Sequence, residues 1–213
     1  MTDSDLKPIT RGERTRKELM DLAEIAILEK GYAATSIDEL IAQAGITKSG
    51  FFYHFADKLD LAKQLMRRDN ATNEAALRTL FEEADAAHSD PLDALLEGMS
   101  RYGQAAAASP TPRPGCLAAA FSYQHALFDE EMQRLVEDGL DFKRRMIRLR
   151  LERVAAKYKP EASLDLDGLA DMAIAVVQGA MIMDRVRDPP PAMQAQMELY
   201  RTYLSVLFRP VAA

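Results

Sequence analysis

One cysteine, Cys116, stands among 213 residues. It excludes an internal disulfide, and a four-thiolate zinc site or iron–sulfur cluster built from this chain alone. No apolar stretch follows the polar amino terminus, MTDSDLKP, so a secretory signal is not expected and a cytoplasmic location is. The longest apolar run, Ala173 to Met183, is interrupted by Gln178 and falls short of the roughly 20 residues a membrane-spanning helix needs. The three histidines, His54, His88 and His125, are too scattered to propose as a metal site. There is no G-x-x-x-x-G-K-[ST], no G-x-S-x-G and no H-E-x-x-H, so neither an enzyme nor a cofactor is expected. The net charge of 27 − 33 = −6 argues against wholesale coating of nucleic acid, yet leaves room for a local basic patch.

Strand-type alternation is lacking too. With 48% hydrophobic residues a real core is available, and nearly every long segment repeats its apolar residues at helical spacing. Helix 1 is expected over about 11–30, on a stripe of Leu19, Leu22, Ala23, Ala26 and Ile27 ended by Gly31. Ser36 and Glu39 have capping-box spacing ahead of Ile37, Leu40, Ile41 and Ala44. Thr47 then caps a short third helix that buries Phe51 and Phe55. A charged connecting helix is expected from about Asp57 to Ala87, with a break near Asn70–Asn73. Asp90-Pro91 opens the next helix, and Ser109 to Gly115, with three prolines, breaks the chain. A short stripe from Leu117 to Phe128, a long one from Asp129 to about Tyr158, and helices over about 165–187 and 191–208 follow. The fold class is all-α with about nine helices.

Two short helices joined by Gly45-Ile46-Thr47 have helix-turn-helix geometry, in which the second helix enters the DNA major groove. That second helix, Lys48-Ser49-Gly50-Phe51-Phe52-Tyr53-His54-Phe55, sets small residues at its amino end and polar or aromatic ones beyond. Small residues let the backbone approach base edges, Lys48 can donate to guanine, and Tyr53 or His54 to phosphate oxygens. With TSIDELIAQAGI, TKSGFFYHF and Lys58, residues 11–58 resemble the DNA-binding domain of the TetR family of bacterial transcriptional regulators. The resemblance implies that Thr47, Lys48, Ser49, Gly50, Phe52, Tyr53 and His54 lie at double-stranded DNA, with Ser36 and Lys58 reaching its backbone. Phe52 stands where family members usually have tyrosine, so Tyr53 has to supply the phosphate-directed hydroxyl. Lys7, Arg11, Arg14, Arg16 and Lys17 form a basic arm suited to phosphates.

The expected division is 1–57 for DNA binding and 58–213 for ligand binding and dimerisation. The helix from Asp165 is apolar on most sides and needs more burial than one small domain gives, so a homodimer is expected, and the resemblance implies that it forms through the last two helices. Inward-facing Met99, Tyr102, Gly103, Gln124, His125, Met146, Gln178 and Met181 are the ligand candidates, because a buried polar group among apolar ones wants a partner. Cys116, beside a turn, reads as a small buried hydrophobe rather than a redox sensor. The cationic run Lys143, Arg144, Arg145, Arg148, Arg150 and Arg153 reads as a solvated face. The expected function is a small-molecule-released repressor on a pseudo-palindromic operator. The alternatives are an activator, an all-α binding protein without operator binding, and a helical enzyme.

Overall fold

Most of the helices begin on a side chain that closes their own first turn. In the computed structural model, which describes residues 10–108, 115–160, 163–186 and 192–209, α1 (Arg11–Lys30) starts at Thr10. There Thr10 and Glu13 form a reciprocal capping box. Ser36, Thr47, Asp57 and Asp90 cap α2 (Ile37–Ala44), α3 (Lys48–His54), α4 (Lys58–Ala87) and α5 (Pro91–Ala107). Asp129 does the same for α7 (Glu130–Tyr158). Between these lie α6 (Leu117–Ser122) and a short 3-10 turn at His125–Leu127, and α8 (Leu166–Val186) and α9 (Ala192–Phe208) follow. Nine α-helices and no strand are present among the described residues. Lys7, the prolines between 109 and 114, and Pro189 to Pro191 lie outside those residues.

Two hydrophobic clusters organise the helices. The first joins α1, α2, α3, the first half of α4, α6 and the start of α7, around Leu19, Leu40, Phe51, Phe55, Leu65 and Phe121. The second joins the remainder of α4 with α5, α7, α8 and α9, around Phe81, Leu95, Ile147, Leu151, Val177 and Tyr200. The α4 helix spans 30 residues, about 45 Å, and belongs to both. The amino-terminal cluster therefore extends beyond residue 57.

The expected break near Asn70–Asn73 is absent: α4 runs through without interruption. Asparagine weakens helices by offering the backbone alternative partners. Here the Asn70 amide is engaged elsewhere, donating to the Leu135 carbonyl of α7 at 2.8 Å. The cationic run of α7 is also not a free solvated face. Arg144 pairs with Asp171 and Arg148 with Asp167 at 2.8 Å, joining α7 to α8. Arg150 is buried, bonds Asp85 of α4 at 2.7 Å and lies over the Phe81 ring at 4.3 Å.

At the far end of the molecule Asp90 ties three helices together. Its carboxylate accepts from the Leu92 amide of α5 at 2.8 Å, from Lys157 at 2.6 Å and the Tyr158 hydroxyl at 2.7 Å on α7, and from Arg209 beyond α9 at 3.1 Å. The α8 helix is long and apolar enough to cross a membrane on length and composition alone. Leu169, Ala170, Ala173, Val177 and Ala180 are nevertheless buried in the second cluster.

Candidate nucleic-acid interface and ligand cavity

Gly45 adopts a left-handed conformation, φ 63° and ψ 32°, which glycine enters without steric penalty. That single residue turns the chain from α2 to α3, and Thr47 restarts it by accepting from the Gly50 amide at 3.2 Å. Phe51 and Phe55, fully buried four residues apart, seat α3 on the first cluster. Their burial turns Lys48, Ser49, Phe52 and Tyr53 outward, with Tyr53 83% exposed. Lys48 has one charge partner, Asp38 at 3.8 Å, in an exposed pair that water weakens, so its ammonium can turn to another anion.

Thr47 is exposed as well, while Gly50 and His54 are half-buried at the margin of this surface. Ser36 is exposed at the start of α2, where its hydroxyl caps the Glu39 amide at 3.2 Å. The return half of the expected capping box is missing, because Glu39 pairs with Lys30 instead. Arg11 and Arg14 are exposed on the first turns of α1, a helix rather than a loose arm. Arg16 is drawn over the Phe55 ring at 5.4 Å and Lys17 pairs with Asp21 at 2.6 Å.

Lys58 departs from the expectation that it reaches outward. Its ammonium donates to the carbonyls of Tyr32 at 3.0 Å and Thr35 at 2.9 Å and lies 4.2 Å from the Tyr32 ring centroid. Burial pushes its pKa down. In this conformation Lys58 pins the α1–α2 loop from within.

A cavity of about 340 Å³ opens between α1, α4, α5, α6, α7 and α8, within the usual size range of ligand sites. Of the ligand candidates named from the sequence, Tyr102, Gln178 and Met181 line it, together with the half-buried Cys116. Burial raises the Tyr102 phenol well above its ordinary pKa, keeping it a neutral donor. Asp69, Thr72 and Asn73 of α4 and Lys143 of α7 add a polar end that sequence periodicity did not reveal. Burial raises the Asp69 carboxyl pKa, against the opposing pull of Lys143.

Four other ligand candidates lie elsewhere. Met99 is fully buried in the second cluster and Met146 packs against that cluster. Gly103 closely approaches Met197 of α9, and His125 is exposed on the 3-10 turn. Gln124 lines an adjoining cleft of about 240 Å³ that shares Leu28, Cys116, Gln178 and Met181 with the cavity. Its Oε1 accepts from the Ala33 amide of the α1–α2 loop at 3.1 Å. Tyr32 at that loop packs near Phe128 at 4.8 Å and Phe121 at 6.2 Å, and through Gln124 the wall of the adjoining cleft touches the root of the helix-turn-helix.

Residues 19–65 match the model of the family described as bacterial regulatory proteins, tetR family. Over these residues the helix-turn-helix segment is similar to that family. Its relatives include the Transposon Tn10 TetC protein of Escherichia coli, 45% identical over 47 residues, which are 22% of this chain and 24% of that protein. The HTH-type transcriptional repressor BepR of Brucella suis biovar 1 is 30% identical over 81 residues, 38% of this chain and 37% of BepR. The matched segments thus span well under two thirds of these relatives.

TetR-like architecture extends over the rest of the chain. A TetR-family regulator from Agrobacterium tumefaciens superposes with a TM-score of 0.74 at 21% identity, covering 93% of this chain and 100% of that one. Escherichia coli NemR in its reduced form gives 0.71 at 18%, with the same coverage. At such identity the shared property is the fold. Among the described residues no group of histidine, cysteine, aspartate and glutamate is placed to hold a metal ion.

Proposed function

We propose that this chain is a ligand-responsive transcriptional repressor that binds a pseudo-palindromic operator as a dimer and is released by a small molecule. The observation that carries the reading is α3. Two buried phenylalanines fix it to a rigid base, and its opposite face holds Lys48, Ser49, Phe52 and Tyr53 out to solvent. Residues 1–57 would engage DNA. Thr47, Gly50 and His54 flank the surface, Ser36 faces the backbone, and Lys58 supports the loop from within unless it swings out.

An apolar stripe that no described residue covers supports dimerisation through α8 and α9. Met172, Ile182 and Val186 on α8 and Leu199, Tyr203 and Val206 on α9 are exposed at helical spacing. A second copy packing there would form a four-helix bundle and set the spacing of the two α3 helices. Residues 58–213, with Glu24 and Leu28 of α1 at one side, would hold the effector. Binding in the cavity would favour a conformation in which Gln124 and the Tyr32 aromatic cluster reposition the α1–α2 loop, so that the two α3 helices no longer match the half-sites.

Selection of random double-stranded DNA by the purified protein, with sequencing of what binds, tests this reading. Enrichment of an inverted repeat, with half-sites about one helical turn apart or a multiple of it, supports it. No enrichment at low salt, even with cell extract added as a source of co-ligands, overturns it.

A further inference from the structure

The charges in the cavity say what kind of molecule it takes, given the effector-site reading above. Three ionisable side chains of fixed sign line it: Glu24, Asp69 and Lys143. Glu24 is already committed. It accepts from Arg68 at 2.9 Å, and Arg68 also bonds Asp21 at 2.6 Å, which in turn pairs with Lys17 at 2.6 Å. That network of two carboxylates and two cations is balanced in itself. What remains to the cavity is one carboxyl, Asp69, and one ammonium, Lys143.

These two feel each other, since Lys143 opposes the upward shift of the Asp69 pKa, yet no hydrogen bond or ion pair joins them. Asp69, which also has Asn73 beside it, and Lys143 thus line one cavity as opposite charges without a contact of their own. A molecule that donates to the carboxylate and accepts from the ammonium satisfies both. A ligand with net charge would leave one unit uncompensated in a partly desolvated site. Beyond the polar end the walls are apolar, formed by Leu77, Leu80, Val177 and Met181, with the Tyr102 hydroxyl without a hydrogen-bond partner among the described residues.

We infer that the effector is a net-neutral amphipathic molecule whose head carries a donor and an acceptor side by side, as an amide does, seated between Asp69 and Lys143, with an apolar body against α4 and α8. The head bridges the two side chains, and the body replaces water along Leu77, Leu80 and Val177. Charge balance also fixes how the selectivity moves. Removing the ammonium leaves a net negative site that favours a cationic head, and neutralising the carboxylate leaves a net positive site that favours an anionic one.

Octanamide, octanoate and octylammonium share one saturated chain and differ in the head, so isothermal titration of the full-length protein with each reads the head preference alone. The expected result is octanamide bound about tenfold or more tighter than either charged probe. Lys143→Met shifts the preference to octylammonium, and Asp69→Asn shifts it to octanoate, with far-UV circular dichroism confirming that each variant is folded. A wild-type preference for a charged head, an unchanged order in both variants, or no binding of any probe overturns the inference. Operator binding by the same preparations separates the two readings. Intact operator binding without head discrimination sinks the neutral-effector inference alone, whereas failure to enrich any operator sinks the regulator reading.

Discussion

Replacing Phe51 and Phe52 separately by alanine distinguishes the two faces of α3. The helix has seven residues, with Gly50 inside it, and a helix so short has no stability of its own in water. Its position depends on Phe51, 0% exposed and 5.6 Å from the Phe55 ring, whereas Phe52 next to it is 46% exposed. Truncating a fully buried phenylalanine costs about 3–5 kcal/mol. Truncating an exposed one away from such a feature shifts stability by about 0.5 kcal/mol or less. At about 1.4 kcal/mol per factor of ten, Phe51→Ala raises the open population of α3 by about a hundredfold or more. Native-state amide exchange reads that population directly. Protection of the α3 amides should collapse in Phe51→Ala and stay near wild type in Phe52→Ala, while the second cluster keeps its protection in both. Equal loss of α3 protection in the two variants, or none in Phe51→Ala, would refute the assignment of faces.

Three further outcomes follow from other parts of the molecule. Burial of Asp90 opposes its ionisation, but hydrogen bonds from Lys157, Tyr158 and the first turn of α5 outweigh it and hold the carboxyl well below the usual carboxylate range. A depressed folded-state pKa contributes stability above the unfolded value of about 3.9 and loses it as pH falls. Asp90→Asn should therefore be less stable than wild type at neutral pH, with the gap closing below about pH 4. Denaturant midpoints across pH check this, and a gap that persists in acid contradicts it. A Cβ at Gly98 would stand 2.4 Å from Phe81 Cδ1 and Cε1, so Gly98→Ala should destabilise by about 1–3 kcal/mol before a helix-propensity gain of about 1 kcal/mol. A raised melting temperature would show that Phe81 yields more readily than its burial suggests. Gln124→Ala removes the bond to the Ala33 amide and should weaken octanamide-induced operator release more than operator binding itself. An unchanged ratio of operator affinities with and without octanamide would remove Gln124 from the coupling.

Much of the fold was legible because helix periodicity and caps are local signals. Thr47 and Gly45 marked the turn before α3, and Phe51 and Phe55 revealed its buried side. Where the reading failed, the deciding partner was distant in sequence. Lys58 looks outward by position, but two carbonyls and a ring of the α1–α2 loop draw it in. Glu39 has the spacing to complete a box with Ser36, and Lys30 from the preceding helix captures it. Thr10 and Glu13 had the same spacing and do form the box. The cavity was half legible: Tyr102, Gln178 and Met181 stood out as polar or flexible residues on apolar stripes. Asp69 and Lys143 did not, because a charged residue on a charged helix carries no local mark of facing a void. Only the crossing of α4 and α7 brings them to one space.

The central claim is that the outer face of α3 meets DNA, and the salt dependence of binding by Lys48→Ala and Tyr53→Ala tests it most directly. The measurement takes the best selected operator and follows affinity against salt for wild type and both variants. Each phosphate contact contributes a slope of about 0.9 in log affinity against log salt, whereas a base contact changes affinity at every salt concentration with little change in slope. Tyr53→Ala should weaken binding without loss of fold. Lys48→Ala should weaken binding and, if its partner is a base, relax sequence preference at one position of each half-site. Wild-type affinity and slope in both variants would contradict the account.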